Sequence, residues 1–159
     1  SSDGVYYKYS YSYPSTQRNV DFQNEIQEIS PKFVKIYNQA AKAESLKLDE
    51  ISGIGYRKAV EFLVKDYCSL KDKKNEKVIK NEYMGIIIKN RIDDERIKVC
   101  AEKAIWLGND QAHYTQIWDQ YNIDDLKNLI RITVNWIVSE VVTAKYAREM
   151  TDKKPKSPN

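Results

Sequence analysis

The sequence predicts an all-α protein, a single-domain bundle of four to five helices preceded by an extended, tyrosine-rich N-terminal arm. Three observations predict this class. Apolar residues recur at the three- and four-residue spacing of amphipathic helices through most of the chain. Glycine and proline are scarce, with five and four residues, which disfavours turn-rich sandwiches and barrels. A length of 159 residues is enough for one domain with its own core.

Residues 1–29 are predicted to form the extended arm and a linker. Tyrosine stands at every second position in part of this region: Tyr7, Tyr9, Tyr11 and Tyr13. A period of two indicates an extended segment with one aromatic face, and Pro14 ends the pattern. Since Lys8 is the only basic residue within 5–13, packing against the body or a partner is favoured over stacking on nucleic-acid bases.

Residues 30–150 are predicted to form the helical domain. Ser30 supplies a capping hydroxyl for the first helix, and Pro31 has the rigid backbone that suits a first helical position. A second helix over about 48–70 has the clearest apolar stripe, formed by Ala59, Phe62, Leu63, Tyr67 and Leu70. The charged run 71–77 then predicts a surface connection.

Residues 81–90 favour a short buried helix over a strand, because helical patterns flank them. The next helix is predicted over about 94–107, capped by Asp93 or Asp94. Gly108 would follow its end, where a left-handed backbone favours glycine.

The last helix, over about 124–149, would be capped by Asn122 or Asp124. Its apolar positions cover more of the circumference than one core stripe requires: Trp136, Ile137, Val138, Val141 and Val142. This excess predicts a surface that is buried against a second copy of the chain. Residues 151–159 are predicted to be a disordered tail.

Composition excludes several classes of function. A net charge of +3 is too small to imply nucleic-acid binding by itself. The two cysteines, Cys68 and Cys100, form neither a disulfide framework nor a zinc motif, and free thiols suggest a cytoplasmic location. No apolar stretch approaches the ~18 residues of a membrane span, so we expect no membrane partner. No carboxylate cluster resembles a two-metal site, so we expect no metal and no other cofactor.

The segment AIWLGNDQAHY, residues 104–114, contains the only histidine, His113. Its imidazole can give or take a proton near neutral pH, which makes it a candidate catalytic residue. Asn109 precedes it by four positions, so the two share a face if this stretch is helical. The alternative is a structural histidine that caps or packs.

Arg57 and Glu61 lie four positions apart in GYRKAVEFL, on one face of the second predicted helix. Glu61 can brace the guanidinium, which could then bind a phosphate or a carboxylate. The alternative is an ordinary surface ion pair, which contributes under about 1 kcal/mol.

Three segments occur in order: ISPKFVKIYNQAAKA, GYRKAVEFLV and AIWLGNDQAHY, the last followed by a long apolar helix. This order resembles the bacterial family called domain of unknown function 4145, over about residues 13–148. That family has an R-x-x-x-E helix, matched here by Arg57 and Glu61. It also has a G-N-x-x-A-H turn, matched here by Gly108, Asn109, Ala112 and His113.

The family is viewed as similar to the HEPN superfamily, helical domains found in prokaryotic defence and toxin systems. HEPN ribonucleases carry an arginine followed by four to six residues and a histidine, and two chains face these motifs into one cleft. Here positions 106–108 are Trp, Leu and Gly, so the motif arginine is absent. Lys103, the nearest basic residue before His113, is ten positions away.

The sequence and the resemblance together favour a non-catalytic, homodimeric interaction module of a defence or nucleic-acid-processing system, because the motif arginine is missing. Its partners would be a second copy and either RNA or another defence-system protein. The alternative is a metal-independent RNA endonuclease. His113 would then be the general acid and base, with Asn109 and Arg57 as further catalytic residues. Glu61 and Lys103 are candidate binding residues in either case.

Overall fold

Seven α-helices and one short 3-10 helix make up most of residues 19–150, the part of the chain that the computed structural model describes. The helices are α1 (Asn24–Ile29), α2 (Pro31–Ser45), α3 (Asp49–Lys71), α4 (Glu76–Asn81), α5 (Met84–Arg91), α6 (Glu95–Asp110) and α7 (Ile123–Glu149). The 3-10 helix Lys73–Asn75 joins α3 to α4. The all-α class is confirmed, while the predicted number of four to five helices is wrong.

The two helices that the prediction missed, α1 and α4, have six residues each. Six residues make fewer than two turns, so no apolar period can be read from them. Each contributes one fully buried side chain, Ile26 in α1 and Ile79 in α4. Packing therefore holds these helices, and α1 is helical within the region predicted as arm and linker. The tyrosine-rich segment 5–13 and the predicted tail 151–159 lie outside the described residues.

Helix α3 is the centre of the bundle, and each of the other six helices packs against it. Its buried side chains cover more than one face, and they include Tyr56, Ala59, Val60, Leu63, Val64 and Tyr67. At the end of α3 the predicted stripe is wrong by one residue: Leu70 is 44% exposed because α3 leaves the core there.

Two tyrosines of α3 tie it to its neighbours through carboxylates. The Tyr56 hydroxyl donates to Glu44 Oε2 of α2 at 2.6 Å, and Glu44 Oε1 accepts from Lys127 Nζ of α7 at 2.7 Å. The Tyr67 hydroxyl donates in the same way to Glu140 of α7. Burial, followed by the hydrogen bond to the carboxylate, raises the pKa of both phenols. Both tyrosines therefore stay protonated and keep donating.

The predicted helix starts are largely confirmed. The Ser30 hydroxyl accepts from the backbone N–H of Phe33 at 3.4 Å, with Pro31 in the first turn. Of the alternatives that the sequence left open, Asp94 caps α6 and Asn122 caps α7. The short helix predicted over 81–90 is present as α5, but it begins three residues later, at Met84, because Asn81 ends α4.

The predicted end of α6 at Gly108 is wrong. The helix continues to Asp110, and none of the glycines in residues 19–150 has a positive φ. The reason is the close crossing of α3, because a Cβ built on Gly108 would lie 2.6 Å from the Cβ of Arg57. Glycine is therefore needed at this position for contact between helices, and not for a turn.

The left-handed conformation occurs instead at Lys47, after α2, with φ of 60°. Its N–H donates to the Glu44 carbonyl at 2.9 Å, and the N–H of Leu48 donates to the Ala43 carbonyl at 3.0 Å. This pair of bonds is the Schellman arrangement that ends many helices. A lysine occupies the position that usually favours glycine, so composition gave no signal for it.

Candidate functional site

Helices α3 and α6 bring three of the predicted site residues together. Arg57 Nε donates to Asn109 Oδ1, across the contact that Gly108 allows. Arg57 Nη1 lies 3.5 Å from Glu61 Oε2, so the predicted brace is present. Glu61 Oε1 in turn lies 2.9 Å from Lys65 Nζ. The guanidinium is therefore bound by the protein itself, with its Nη2 lacking a hydrogen-bond partner among residues 19–150.

His113 lies in the turn after α6, where its backbone N–H donates to the Asp110 carbonyl at 3.1 Å. Its side chain is exposed, and within the described part of the chain no hydrogen bond joins the imidazole to Arg57, Asn109 or Glu61. The turn nevertheless lies against α3, because a Cβ on Gly53 would be 2.9 Å from the Cβ of Gln111. The structure thus places His113 in an exposed turn that packs on α3 through Gln111, with no hydrogen bond of the described residues from its imidazole to the Arg57 cluster.

Lys103 belongs to a different surface. Its Nζ lies 3.5 Å from the centroid of the Trp106 ring and 3.2 Å from Glu102 Oε2. No hydrogen bond or ion pair of the described residues connects it to the Arg57 cluster. Lys103 and Glu61, which were both predicted as binding residues, therefore do not form a common site among the described residues.

Asp110, which was not among the predicted site residues, organises the loop between α6 and α7. Its side chain is buried, with 4% of the residue exposed. Oδ1 accepts from the N–H of Ile117 at 2.7 Å, and Oδ2 accepts from the N–H of Trp118 at 2.8 Å. The sequence around Asp110 shows only an acidic residue before a loop without periodic apolar residues. This pattern does not predict that the carboxylate is buried. The carboxylate fixes where Trp118 lies.

The loop held by Asp110 completes a group of aromatic side chains that we call the aromatic face: Trp106, Trp118 and Tyr121. The two indoles stack with centroids 6.2 Å apart and planes 13° apart, and Tyr121 lies 6.4 Å from Trp118. All three side chains remain substantially exposed. Beside them lies an apolar cavity of about 330 Å³, also lined by Lys103, Leu107 and Leu129.

The α7 surface predicted to be buried in a dimer is partly covered by the chain itself, with Trp136, Val138, Val141 and Val142 half-buried. The Arg96 guanidinium carbon lies 3.9 Å from the centroid of the Trp136 ring, and the indole packs on the core. Ile137 is fully buried. The exposed aromatic surface thus lies at the α6 end of the bundle and not along the middle of α7.

Comparisons of the chain with protein-family models, with curated proteins and with solved structures found no match. The resemblance to the domain of unknown function 4145 family therefore rests on the motif residues alone. Within residues 19–150, no group of three or more His, Cys, Asp or Glu side chains is placed to bind a metal ion. None of the helices described is long and apolar enough to span a membrane.

Proposed function

We propose that this protein is a helical interaction module that forms a homodimer through the aromatic face. The observation that carries the proposal is the pair of exposed, stacked indoles beside an apolar cavity. Tryptophan and tyrosine are the residues that most often anchor interfaces, and exposed apolar patches of this kind mark interaction sites. The family resemblance suggests that the module serves a defence or nucleic-acid-processing system.

The aromatic face has the two parts that a self-complementary contact requires. The cavity is a recess, and Ile117, next to Trp118 in the chain, is 78% exposed. In a two-fold arrangement, Ile117 of each copy would enter the recess of the other. Among residues 19–150, Lys103 is the only charged residue that lines the cavity, and Glu102 already pairs it, so no unpaired charge of this part of the chain is buried in the contact.

The motif residues have a structural role in this proposal. Gly108 and Asn109 fix the end of α6 against Arg57 of α3. Asp110 follows directly and holds the loop that carries Trp118. The R-x-x-x-E and G-N motifs thereby position the aromatic face, which explains why the guanidinium is bound internally.

Hydrogen–deuterium exchange at a series of protein concentrations tests the proposal. The backbone amides of residues 117–121 should gain protection as the concentration rises through the dimer dissociation constant. The amides of α4, which lies elsewhere in the bundle, should show no change and provide the internal control. Exchange in 117–121 that does not depend on concentration would contradict association through this face.

A second candidate function is a metal-independent RNA endonuclease, and one observation favours it. Although positions 106–108 lack arginine, the fold brings Arg57 of α3 against Asn109, within the motif that contains His113. In this mechanism His113 transfers protons and the free Nη2 of Arg57 stabilises charge on the phosphate.

This second candidate is tested by incubating RNA with the protein in a chelator. Cleavage should persist in the chelator, disappear in His113→Ala and remain in Tyr114→Ala, which changes the exposed neighbour. Cleavage that requires a metal ion, or full activity in His113→Ala, excludes the mechanism.

A further inference from the structure

The outer surface of α2 and α3 is basic at one end and apolar at the other. Exposed lysines form the basic end: Lys32, Lys35 and Lys58. Exposed aliphatic side chains form the apolar end: Leu46, Ile51 and Ile54. We call these six residues the α2–α3 face, and none of them lines the cavity at the aromatic face.

The lysines of α2 and α3 belong to one surface. Lys32 Nζ of α2 lies 4.8 Å from the centroid of the Phe62 ring of α3, so the two helices meet at this point. Lys35 follows Lys32 by three positions, and Lys58 precedes Phe62 by four, which places each beside its neighbour on the same helix face. The basic end is therefore centred on the contact between Lys32 and Phe62.

The apolar end lies where α2 turns into α3. Leu46 directly follows α2, and Ile51 and Ile54 are in the first two turns of α3. Spacings of three and four positions put Ile51, Ile54 and Lys58 on one face of α3. Leu46 is 42% exposed, Ile51 60% and Ile54 48%. Exposed aliphatic groups that lie together in this way mark a surface for interaction.

The lysines at the basic end are free to bind a partner. No ion pair within residues 19–150 involves any of the three. Two carboxylates in this part of α3 are already engaged: Glu61 with Arg57 and Lys65, and Asp66 with the Ser30 hydroxyl. The basic end therefore has an excess of positive charge, which favours an acidic partner.

The mixed character of the α2–α3 face favours an acidic polypeptide over a nucleic acid. A phosphodiester backbone would pair with the lysines and leave Ile51 and Ile54 without apolar contacts. Bases stack on exposed aromatic rings, whereas the Phe62 ring is half-buried with Lys32 over it. An amphipathic helix of a protein supplies carboxylates and apolar side chains together.

The dimensions of the α2–α3 face define the length of this helix. From Lys32 to Leu46 the face extends about 21 Å along the axis of α2, at the rise of an α-helix. A partner helix of about 14 residues has the same length. Since the lysines and the aliphatic residues lie at opposite ends, the partner must be acidic in one half and apolar in the other.

We propose that the α2–α3 face binds an acidic, amphipathic helix of another protein. The carboxylates of that helix pair with the lysines of the basic end, and its apolar side chains pack on Leu46, Ile51 and Ile54. This interaction goes beyond dimerisation through the aromatic face and does not depend on it, because the two surfaces share no residue.

A titration followed by nuclear magnetic resonance tests this inference with the isotope-labelled full chain. The probe is a synthetic helical peptide of about 14 residues, with glutamates in its N-terminal half and leucines in its C-terminal half. A second peptide has the same composition with the two residue types interspersed. We expect the first peptide to bind more tightly and to shift amide signals of the α2–α3 face. The indole N–H signals of Trp106 and Trp118 should not shift.

Charge reversal at the basic end provides the matched comparison. Lys35→Glu with Lys58→Glu should weaken binding of the first peptide about tenfold, because attraction becomes repulsion at two positions. Lys74→Glu with Lys77→Glu changes the net charge equally at exposed lysines elsewhere and should leave the affinity unchanged. Circular dichroism of each double variant verifies that the helices are intact.

Several results would overturn the inference. Equal weakening in the two double variants would show that only net charge matters. Equal affinity for the two peptides, or no shift at millimolar peptide, would show that the face does not select a polarised helix. Tighter binding of a single-stranded RNA oligonucleotide or of anionic lipid vesicles, lost in Lys35→Glu with Lys58→Glu, would assign the face to that partner. Shifts of the same amides on dilution without peptide would assign it to a second copy of the chain.

Discussion

Because Gly108 has no side chain, α6 can pack directly against Arg57 of α3. This contact sets the positions of the two residues that follow Gly108. Asn109 then meets the guanidinium, and Asp110 points into the loop that follows. The sequence predicted His113, Asn109 and Arg57 as catalytic candidates and Glu61 and Lys103 as binding candidates. The structure brings Arg57, Asn109 and Glu61 together, and no hydrogen bond of the described residues joins His113 or Lys103 to them. The sequence did not predict the helical conformation of Gly108, because the crossing partner lies about fifty residues away in the chain.

Gly108→Ala tests this contact. A Cβ would overlap Arg57, so we expect the free energy of unfolding to fall by about 1–3 kcal/mol through overpacking. Gly85→Ala in α5 is the matched control, because a Cβ there meets nothing within 4 Å. That control should raise stability by about 0.5–1 kcal/mol, the usual gain for alanine over glycine in a helix. Chemical denaturation measures both, and changes of the same sign would contradict the account.

Asp110→Ala tests whether one carboxylate orders the aromatic loop. Without it the amides of Ile117 and Trp118 lose their acceptors, so their hydrogen exchange should accelerate. The emission of Trp118 should also shift as the indole becomes more mobile. Asp119→Ala removes an exposed carboxylate from the same loop and should leave both signals unchanged. Unchanged protection of the two amides in Asp110→Ala would show that the loop is held by other contacts.

At the scale of the helices, α2, α3, α6 and α7 were predicted from apolar period and capping residues, and α5 from the helical patterns that flank it. The two short helices were not, because Ile26 and Ile79 are single anchors that depend on the rest of the core. Caps were predicted to within one or two residues, since a capping side chain acts on backbone N–H groups next to it. Features that depend on residues close together in the chain could therefore be predicted from the sequence, while features that depend on tertiary contacts could not.

The N-terminal cap of α6, Asp94, predicts how the free energy of unfolding changes with pH in the acidic range. The hydrogen bond from Arg96, helped by the backbone N–H groups of Ile97 and Arg96, lowers the pKa of Asp94 from 3.8 to about 2. A carboxyl whose pKa is lower in the folded state stabilises the fold above its unfolded pKa and loses this effect as the pH falls. The contribution should thus be complete above about pH 4 and be lost towards pH 2.

Asp94→Asn measures this contribution, because asparagine caps as well as aspartate but carries no charge. The difference in free energy of unfolding between the native protein and Asp94→Asn should be constant near neutral pH. It should then shrink as the pH falls from about 4 towards 2. Urea denaturation at several pH values provides the data. A difference in the free energy of unfolding that stays constant through this pH range would show that the charge of the Asp94 carboxylate does not stabilise the fold.

For the whole molecule, the sequence predicted a homodimer and located the interface at Trp136. The structure places the Arg96 guanidinium over that indole, which is half-buried, and leaves Trp106, Trp118 and Tyr121 more exposed. The reason is again non-local: a loop without any periodic pattern is folded back by a buried carboxylate. The apolar excess on α7 therefore predicted a surface on that helix, while the aromatic face depends on a tertiary contact that no periodic pattern indicates.

The mass of the protein in solution distinguishes association through the aromatic face from a monomer. Light scattering coupled to size-exclusion chromatography at micromolar concentration should give about twice the 18.6 kDa of one chain. Ile117→Asp puts a charge on the exposed residue that we propose enters the recess of the other copy, and it should reduce the mass to that of one chain. Val78→Asp changes an exposed apolar residue of α4 and should leave the dimer intact. A native mass of 18.6 kDa across this range, or a dimer that survives Ile117→Asp, would contradict the account.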